Sequence, residues 1–412
     1  MLQTISVSPA RRSLEFGIYR DGDNNLDAIQ ESTLTQALRT SAADSRLEFT
    51  VEDTTRLHAG GDAIESGDLR TEQYVIADGG IGQAHAGAPH DMSDEKNLAE
   101  FVALTLDNAQ ANGAKQTWVE LVDHGGGDGG GLETADGSVM SMPDIARAVA
   151  DGIAIHAAAH PEDAGRSVDG VVANQCLMDT LGFADALSHA GVRYLAASPE
   201  TMLAPGVPSD VAHSIAANER DPISMAKSVV NDVMRTKYDA GGLAHFGPAA
   251  AFDVLDLNPS KLDAVERSIK GLNDDVGVEA TRSGVRSILR EDARAINGMV
   301  RFPQGERDMP WHADRPAIAF YNTLATDGRL DARLRGDAAR AESAVSDLVL
   351  AHRESDGFAP FGGADYSDAV GPTVHLPTSR RQIDPWASHG VVETDNAFYR
   401  NVDQGEMTRA LA

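Results

Sequence analysis

Cys176 is the only cysteine in the chain. An internal disulfide is therefore excluded, and so is a zinc site built from several thiolates. Aromatic residues are sparse at 5%, and cations are few: 35 Lys and Arg stand against 63 Asp and Glu, a formal charge of -28. A phosphate backbone repels such a surface, and no basic patch offsets it, which argues against nucleic acid as a partner. No apolar run reaches the length of a membrane span. The N-terminal stretch Met1–Tyr19 lacks the apolar region of a secretory signal, and Arg11 and Arg12 follow its apolar start instead of preceding it. The expectation is a protein that stays in the cytoplasm, leaves by a route without that signal, or has lost a leader.

The chain is rich in short apolar runs alternating with amphipathic stretches. Leu14–Tyr19, Leu47–Val51, Gln73–Ile76, Thr117–Val122, Val168–Ala173 and Val192–Ala197 read as strands. Leu26–Thr40, Asn97–Asn112, Pro143–His156 and Leu181–His189 read as helices between them. This alternation predicts an α/β fold, a mostly parallel sheet with helices on both faces. After about residue 205 the pattern turns helical, at Asp210–Asn218, Pro222–Arg235, Asn258–Asn273 and Asp337–Glu354. Phe246–Leu257 and Gly371–Leu376 read as further strands, and Gly357–Asp368 as a loop. We expect a catalytic α/β core over residues 1–257 and a helical part with a late strand over 258–412, packed on it.

Two predicted strands run out into reactive residues. One ends Val122-Asp123-His124-Gly125-Gly126-Gly127; the other ends Ala173-Asn174-Gln175-Cys176. In open α/β sheets ligands bind beyond the carboxyl ends of the strands. An imidazole beside a thiol can take its proton, and the thiolate attacks carbonyl carbon well. The glycines after His124 allow the backbone to approach a substrate closely, and the Gly125 amide can donate to a developing oxyanion.

Asp123-His124-Gly125-Gly126 and Gln175-Cys176-Leu177-Met178 resemble the two signature segments of the clostripain family of cysteine peptidases, which have a caspase-like fold. Gly22-Asp23-Asn24-Asn25-Leu26, Asp91-Met92-Ser93-Asp94, Ala197-Ser198-Pro199-Glu200-Thr201 and Gly371–Pro377 are similar to further family segments in the same order. The resemblance implies an endopeptidase acting on protein or peptide substrates through a Cys176–His124 dyad and a thioester acyl-enzyme. It also implies an oxyanion hole from the Gly125 and Cys176 amides. The family usually carries an acid two residues before the nucleophile, which binds a basic P1 side chain. Asn174 stands there in this chain, so the substrate-binding residues are expected to be Asn174 with Glu200 or Asp210 supplying a carboxylate. Asp128–Gly131 replaces a Trp-rich family segment. With these departures, a catalytically silent caspase-fold scaffold is the alternative reading.

No cofactor is required by the sequence, and no metal ligand is assigned; the resemblance leaves calcium open. Asp21–Asp27 mimics the opening of a calcium loop, but Leu26 and Ser32 occupy positions that need Gly and Glu, so a polar loop capping the next helix is expected. His156 and His160 have the spacing of a helical zinc pair, yet only alanines separate them and Pro161 follows. They read as a solvated helix end. Between Gly125 and Gln175 the only cationic side chains are Arg147, within a helix, and Arg166, in a loop open to cleavage.

Overall fold

The computed structural model describes residues 11–56, 69–203, 206–236, 249–282, 284–296, 313–354, 366–378 and 396–412. The first half contains β1 (Leu14–Asp21), α1 (Asp27–Ala43), β2 (Leu47–Arg56), β3 (Leu69–Ala77), β4 (Gly80–Ile81), β5 (His85–Gly87) and α2 (Glu95–Asn112). It continues with β6 (Gln116–Val122), β7 (Gly131–Glu133), β8 (Val139–Met140), α3 (Met142–Ala159), β9 (Gly170–Asn174), α4 (Leu181–His189) and β10 (Tyr194–Ala197). The second half contains α5 (Asp210–Ala217), α6 (Pro222–Arg235), β11 (Ala251–Asp256), α7 (Pro259–Glu279), α8 (Val285–Ala295) and β12 (Asp314–Pro316). Then come α9 (Ala317–Thr326), α10 (Ala332–Ser346), β13 (Val349–Glu354), β14 (Thr373–His375), α11 (Ala397–Asn401) and α12 (Gln404–Leu411).

The helices start where side chains satisfy their free amides. Asp94 accepts from Lys96 at the head of α2, Ser141 from Asp144 at α3, and Thr180 from Phe183 at α4. Gly113, at φ 71°, ends α2 in the left-handed conformation that glycine adopts without strain.

Ten strands form one sheet in the order β13-β11-β10-β9-β6-β1-β2-β3-β4, with β5 against β3. Neighbours from β10 through β2 run parallel, and the flanking pairs are antiparallel. Side chains alternate between two apolar layers. Phe16, Ile18, Trp118, Val122 and Val172 face the layer that α5 and α6 cover. Tyr19, Val119, Leu121, Val171 and Ala173 face the layer of α2, α3, α4 and α7. The expected α/β architecture is therefore present.

Residues beyond 257 share this core: Leu262, Phe320, Leu334, Val345 and Leu411 belong to the same buried cluster as the strands. The helix expected over Asp337–Glu354 stops at Ser346, and Val349–Glu354 instead forms β13 on the edge of the main sheet. The unpaired edge of β11 satisfies the backbone of that segment, a partner that helical spacing does not reveal. The late strand over 373–375 is real but pairs with β12, outside the main sheet. Most of the loop read at Gly357–Asp368, and the start of the strand read from Phe246, lie outside the described residues.

The reading of His156 and His160 as a solvated helix end is corrected by the structure. His156 is fully buried, with Nδ1 2.7 Å from Asp107 Oδ1 on α2. The packing of α3 along α2, whose Asp107 lies 49 residues away in sequence from His156, buries this face.

Candidate active site

Strand register places the two reactive residues. β6 and β9 are paired in parallel with Val122 opposite Asn174. His124 and Cys176 each follow two residues beyond that pair, so both emerge at the carboxyl rim of the sheet. Gly125 then crosses close to the second strand end: a Cβ there would lie 2.2 Å from the Cys176 carbonyl oxygen. Only glycine permits that approach. Gln175 Nε2 donates to the His124 carbonyl at 2.8 Å, binding the two rim segments together.

Both segments turn through left-handed leucines. Leu177 has φ 67° and Leu132 has φ 58°, conformations that strain a branched side chain. Their amides hold the turns, Leu177 N donating to Glu200 O at 3.0 Å and Leu132 N to His124 O at 3.3 Å.

Cys176 Sγ accepts from Met202 N at 3.3 Å and donates to Met202 O at 3.5 Å. His124 Nε2 meets Asn25 Oδ1 at 2.7 Å. The thiol and the imidazole do not hydrogen-bond each other. With Asn25 Oδ1 as acceptor, Nε2 carries the ring proton and Nδ1 keeps its lone pair. Burial pushes the thiol up and the imidazole down from their ordinary values, so both groups rest uncharged near neutral pH. The sequence motif contained Asn25 but gave it only a loop role, and nothing singled out Met202. Their contacts span 99 and 26 residues.

Buried carboxyls lie beneath the rim. Asn24 Nδ2 donates to Asp123 Oδ1 at 2.5 Å and to Glu133 O at 3.0 Å. Burial pushes Asp123 well up and Asp21 to about 7. In the calcium-like loop, Asp27 is paired with Arg20 at 3.1 Å, and Asn24 Oδ1 accepts from Leu26 N at 2.8 Å. Asn24 thus closes the turn before α1, but the helix itself starts at Leu26 with no side-chain cap, which corrects the expected capping by Asp23 or Asn24.

The expected substrate-binding residues separate. Asn174 is buried; its Nδ2 donates to Glu120 Oε1 at 2.8 Å and its Oδ1 accepts from Val207 N at 2.9 Å. The Gly206 backbone packs directly on it, where a Cβ would fall 1.7 Å from Oδ1. Asn174 therefore lies under the rim, with Glu120 below it. Burial pushes Glu120 up to about 8, and its Oε2 has no hydrogen-bond partner. Sequence alternation made Glu120 an ordinary strand residue. Glu200 stays at the rim through its carbonyl, with its side chain buried. Asp210 does not reach the site: its Oδ1 accepts from Thr40 Oγ1 at 2.9 Å. Thr40 lies in the last turn of α1, the helix that crosses from β1 back to the start of β2, so Asp210 sits at the opposite rim.

Asp128, in the glycine-rich segment after His124, is buried and accepts from Thr180 Oγ1 at 2.8 Å and from Tyr399 OH. Asp314 and His375 complete this cluster, His375 Nδ1 lying 2.9 Å from Asp314 Oδ1. Burial, with Asp314 beside it, pushes Asp128 to about 7. The cluster joins the segment after His124, the turn after Cys176 and the C-terminal helices.

Arg166 is less open than its loop suggested. Its guanidinium binds Asp163 Oδ2 at 2.5 Å and Ala114 O at 2.9 Å.

No protein-family model matches the chain, and no curated protein sequence matches it significantly. Solved structures do. The chain is similar to a secreted C11 cysteine protease from Bacteroides thetaiotaomicron, with TM-score 0.65 and 12% identity over 95% of this chain and 100% of that one. It is also similar to an inactive zymogen C11 protease from Parabacteroides distasonis, with TM-score 0.62 and 15% identity over 96% and 99%. The first protein's group includes a structure in complex with an irreversible peptide inhibitor, TM-score 0.62. At these identities the likeness shows a shared fold, the caspase-like α/β sheet that the sequence motifs led us to expect.

Proposed function

We propose that the chain is a cysteine endopeptidase in which Cys176 is the nucleophile and His124 the acid–base partner. The observation that carries this reading is the Val122–Asn174 register, which brings the chain's single thiol and a half-buried imidazole to one rim of the sheet. Similarity to C11 cysteine proteases, one of them holding a peptide inhibitor, supports it.

In this account His124 takes the Cys176 proton as substrate binds. The thiolate attacks the scissile carbonyl carbon, a C–S bond forms, and the oxyanion is met by the Gly125 and Cys176 amides. The imidazolium returns its proton to the leaving amine as the C–N bond breaks, leaving a thioester. Water, deprotonated by His124, then releases the acid product and restores the thiol. Asn25 holds the ring so that Nδ1 remains a base. Met202 N stabilises the sulfur as it gains charge.

A silent binding scaffold is the competing reading, favoured by the raised thiol and the missing Cys176–His124 hydrogen bond. A peptide library separates the two. Cleavage should appear with the wild type, vanish in Cys176→Ala and fall by about 10²-fold or more in His124→Ala. A wild type that binds peptides but cuts none would favour the scaffold.

A further inference from the structure

His156 lies in the last turn of α3 and His160 follows the helix as its C-cap, with ring centroids 5.0 Å from each other. α2 runs beside α3 and brings Asp107 to the same point. Asp107 Oδ1 lies 2.7 Å from His156 Nδ1 and 3.3 Å from His160 Nε2. We propose that Asp107, His156 and His160 bind one divalent transition-metal ion of the zinc(II) class.

Three observations lead there. The first is spacing. One atom from each residue lies within 4.8 Å of the other two. Donors at about 2.0–2.1 Å from a tetrahedral ion stand roughly 3.3 Å apart, so little movement is needed for the ion to replace the protons these atoms share. The second is donor chemistry. Two imidazoles and a carboxylate suit zinc, whereas calcium and magnesium prefer oxygen alone.

The third is an orphaned atom. His156 is 0% exposed, and its Nε2 has no hydrogen-bond partner. A buried polar atom left unpaired is costly. With a metal on Nδ1, the ring proton sits on Nε2 and faces Asp163 Oδ2, 3.5 Å away. An outer carboxylate on the second ring nitrogen is how metal-bound imidazoles are generally oriented. Asp163 is itself fixed by Arg166. His160 remains partly exposed, which gives the ion an entry path and leaves its fourth position to water.

The site is distant from the catalytic rim. α2 and α3 end where they feed β6 and β9, the strands that carry His124 and Cys176 at their far ends. The ion would tie these two helix ends together with the turn that leads to β9. The proposal does not rest on the peptidase reading.

The test is cobalt(II) titration of chelator-treated full-length protein, followed by visible d–d absorption, with equilibrium dialysis against zinc(II). We expect one ion per chain, cobalt displaced by zinc, and unchanged binding in Cys176→Ala. Affinity should fall roughly tenfold or more in His160→Ala and in Asp107→Asn; both residues are partly exposed, and far-UV circular dichroism checks that each variant is folded. No saturable binding by the wild type would overturn the proposal. So would binding of equal strength in the folded His160→Ala or Asp107→Asn protein.

Discussion

We propose that Asn174, although buried, influences substrate choice from beneath the rim. It lies under the rim with Glu120 as its buried neighbour, and Glu120 holds its proton up to about pH 8. The wild-type Asn174–Glu120 pair is therefore uncharged near neutral pH. In Asn174→Asp the new carboxylate can still accept from Val207 N, while protonated Glu120 turns donor. The pair then carries one negative charge. We predict that the rate ratio for Arg or Lys over neutral P1 residues rises roughly tenfold or more. An unaltered P1 profile would show that position 174 does not influence P1 choice. At this scale the sequence disclosed His124, Gly125 and Cys176, because each sits in a motif at a strand end. It did not disclose Asn25 as the partner of His124, Met202 as that of Cys176, or Glu120 as that of Asn174, because those contacts join separate segments of the chain. Asp210 misled because closeness in sequence to β10 is not closeness in space.

At the scale of elements, the site depends on how tightly β6 and β9 pack. Gly170 opens β9 against the Trp118 ring of β6, and a Cβ at 170 would lie 2.5 Å from that ring. Trp118 is fully buried and stacks on Tyr194 at 5.8 Å, so it has no room to retreat. Gly170→Ala should cost about 1–3 kcal/mol by overpacking, measured by urea denaturation. A neutral result would mean that the two strands yield more than this packing implies. The parallel strands and their helices were legible because apolar runs and helical spacing alternate strongly there. β13 was not. Val349–Glu354 follows a helix without a glycine or proline break, and its state is decided by the open edge of β11. The same blindness hid the Asp107 environment of His156, since a helix face is read as solvated until its neighbour is known.

At the scale of the whole molecule, many buried acids have raised values. Asp21 and Asp128 are pushed to about 7, Glu120 to about 8, and Asp185 to about 6, each chiefly by burial. Between about pH 4 and those values the folded chain binds more protons than the unfolded one. Stability therefore falls as pH rises through that window. The lowered carboxyls Asp44, Asp163 and Asp256 work the other way, but their contribution is lost only at still lower pH, below the ordinary Asp value. The formal charge of -28 adds self-repulsion at high pH. We predict that Tm is higher at pH 5–6 than at pH 8 by differential scanning calorimetry in matched buffers. A Tm that climbs from pH 5 to pH 8 would contradict the assignment of these groups as protonated in the fold.

The central claim is that Cys176 carries the acyl group. It is tested most directly by acid-quenching the protein during turnover of a slowly deacylated peptide ester and measuring its intact mass and proteolytic fragments. The account predicts one acyl adduct, located on the fragment containing Cys176, labile to hydroxylamine as a thioester is, and missing in Cys176→Ala. Cleavage that proceeds at the wild-type rate in Cys176→Ala, or an adduct on any other residue, would contradict it.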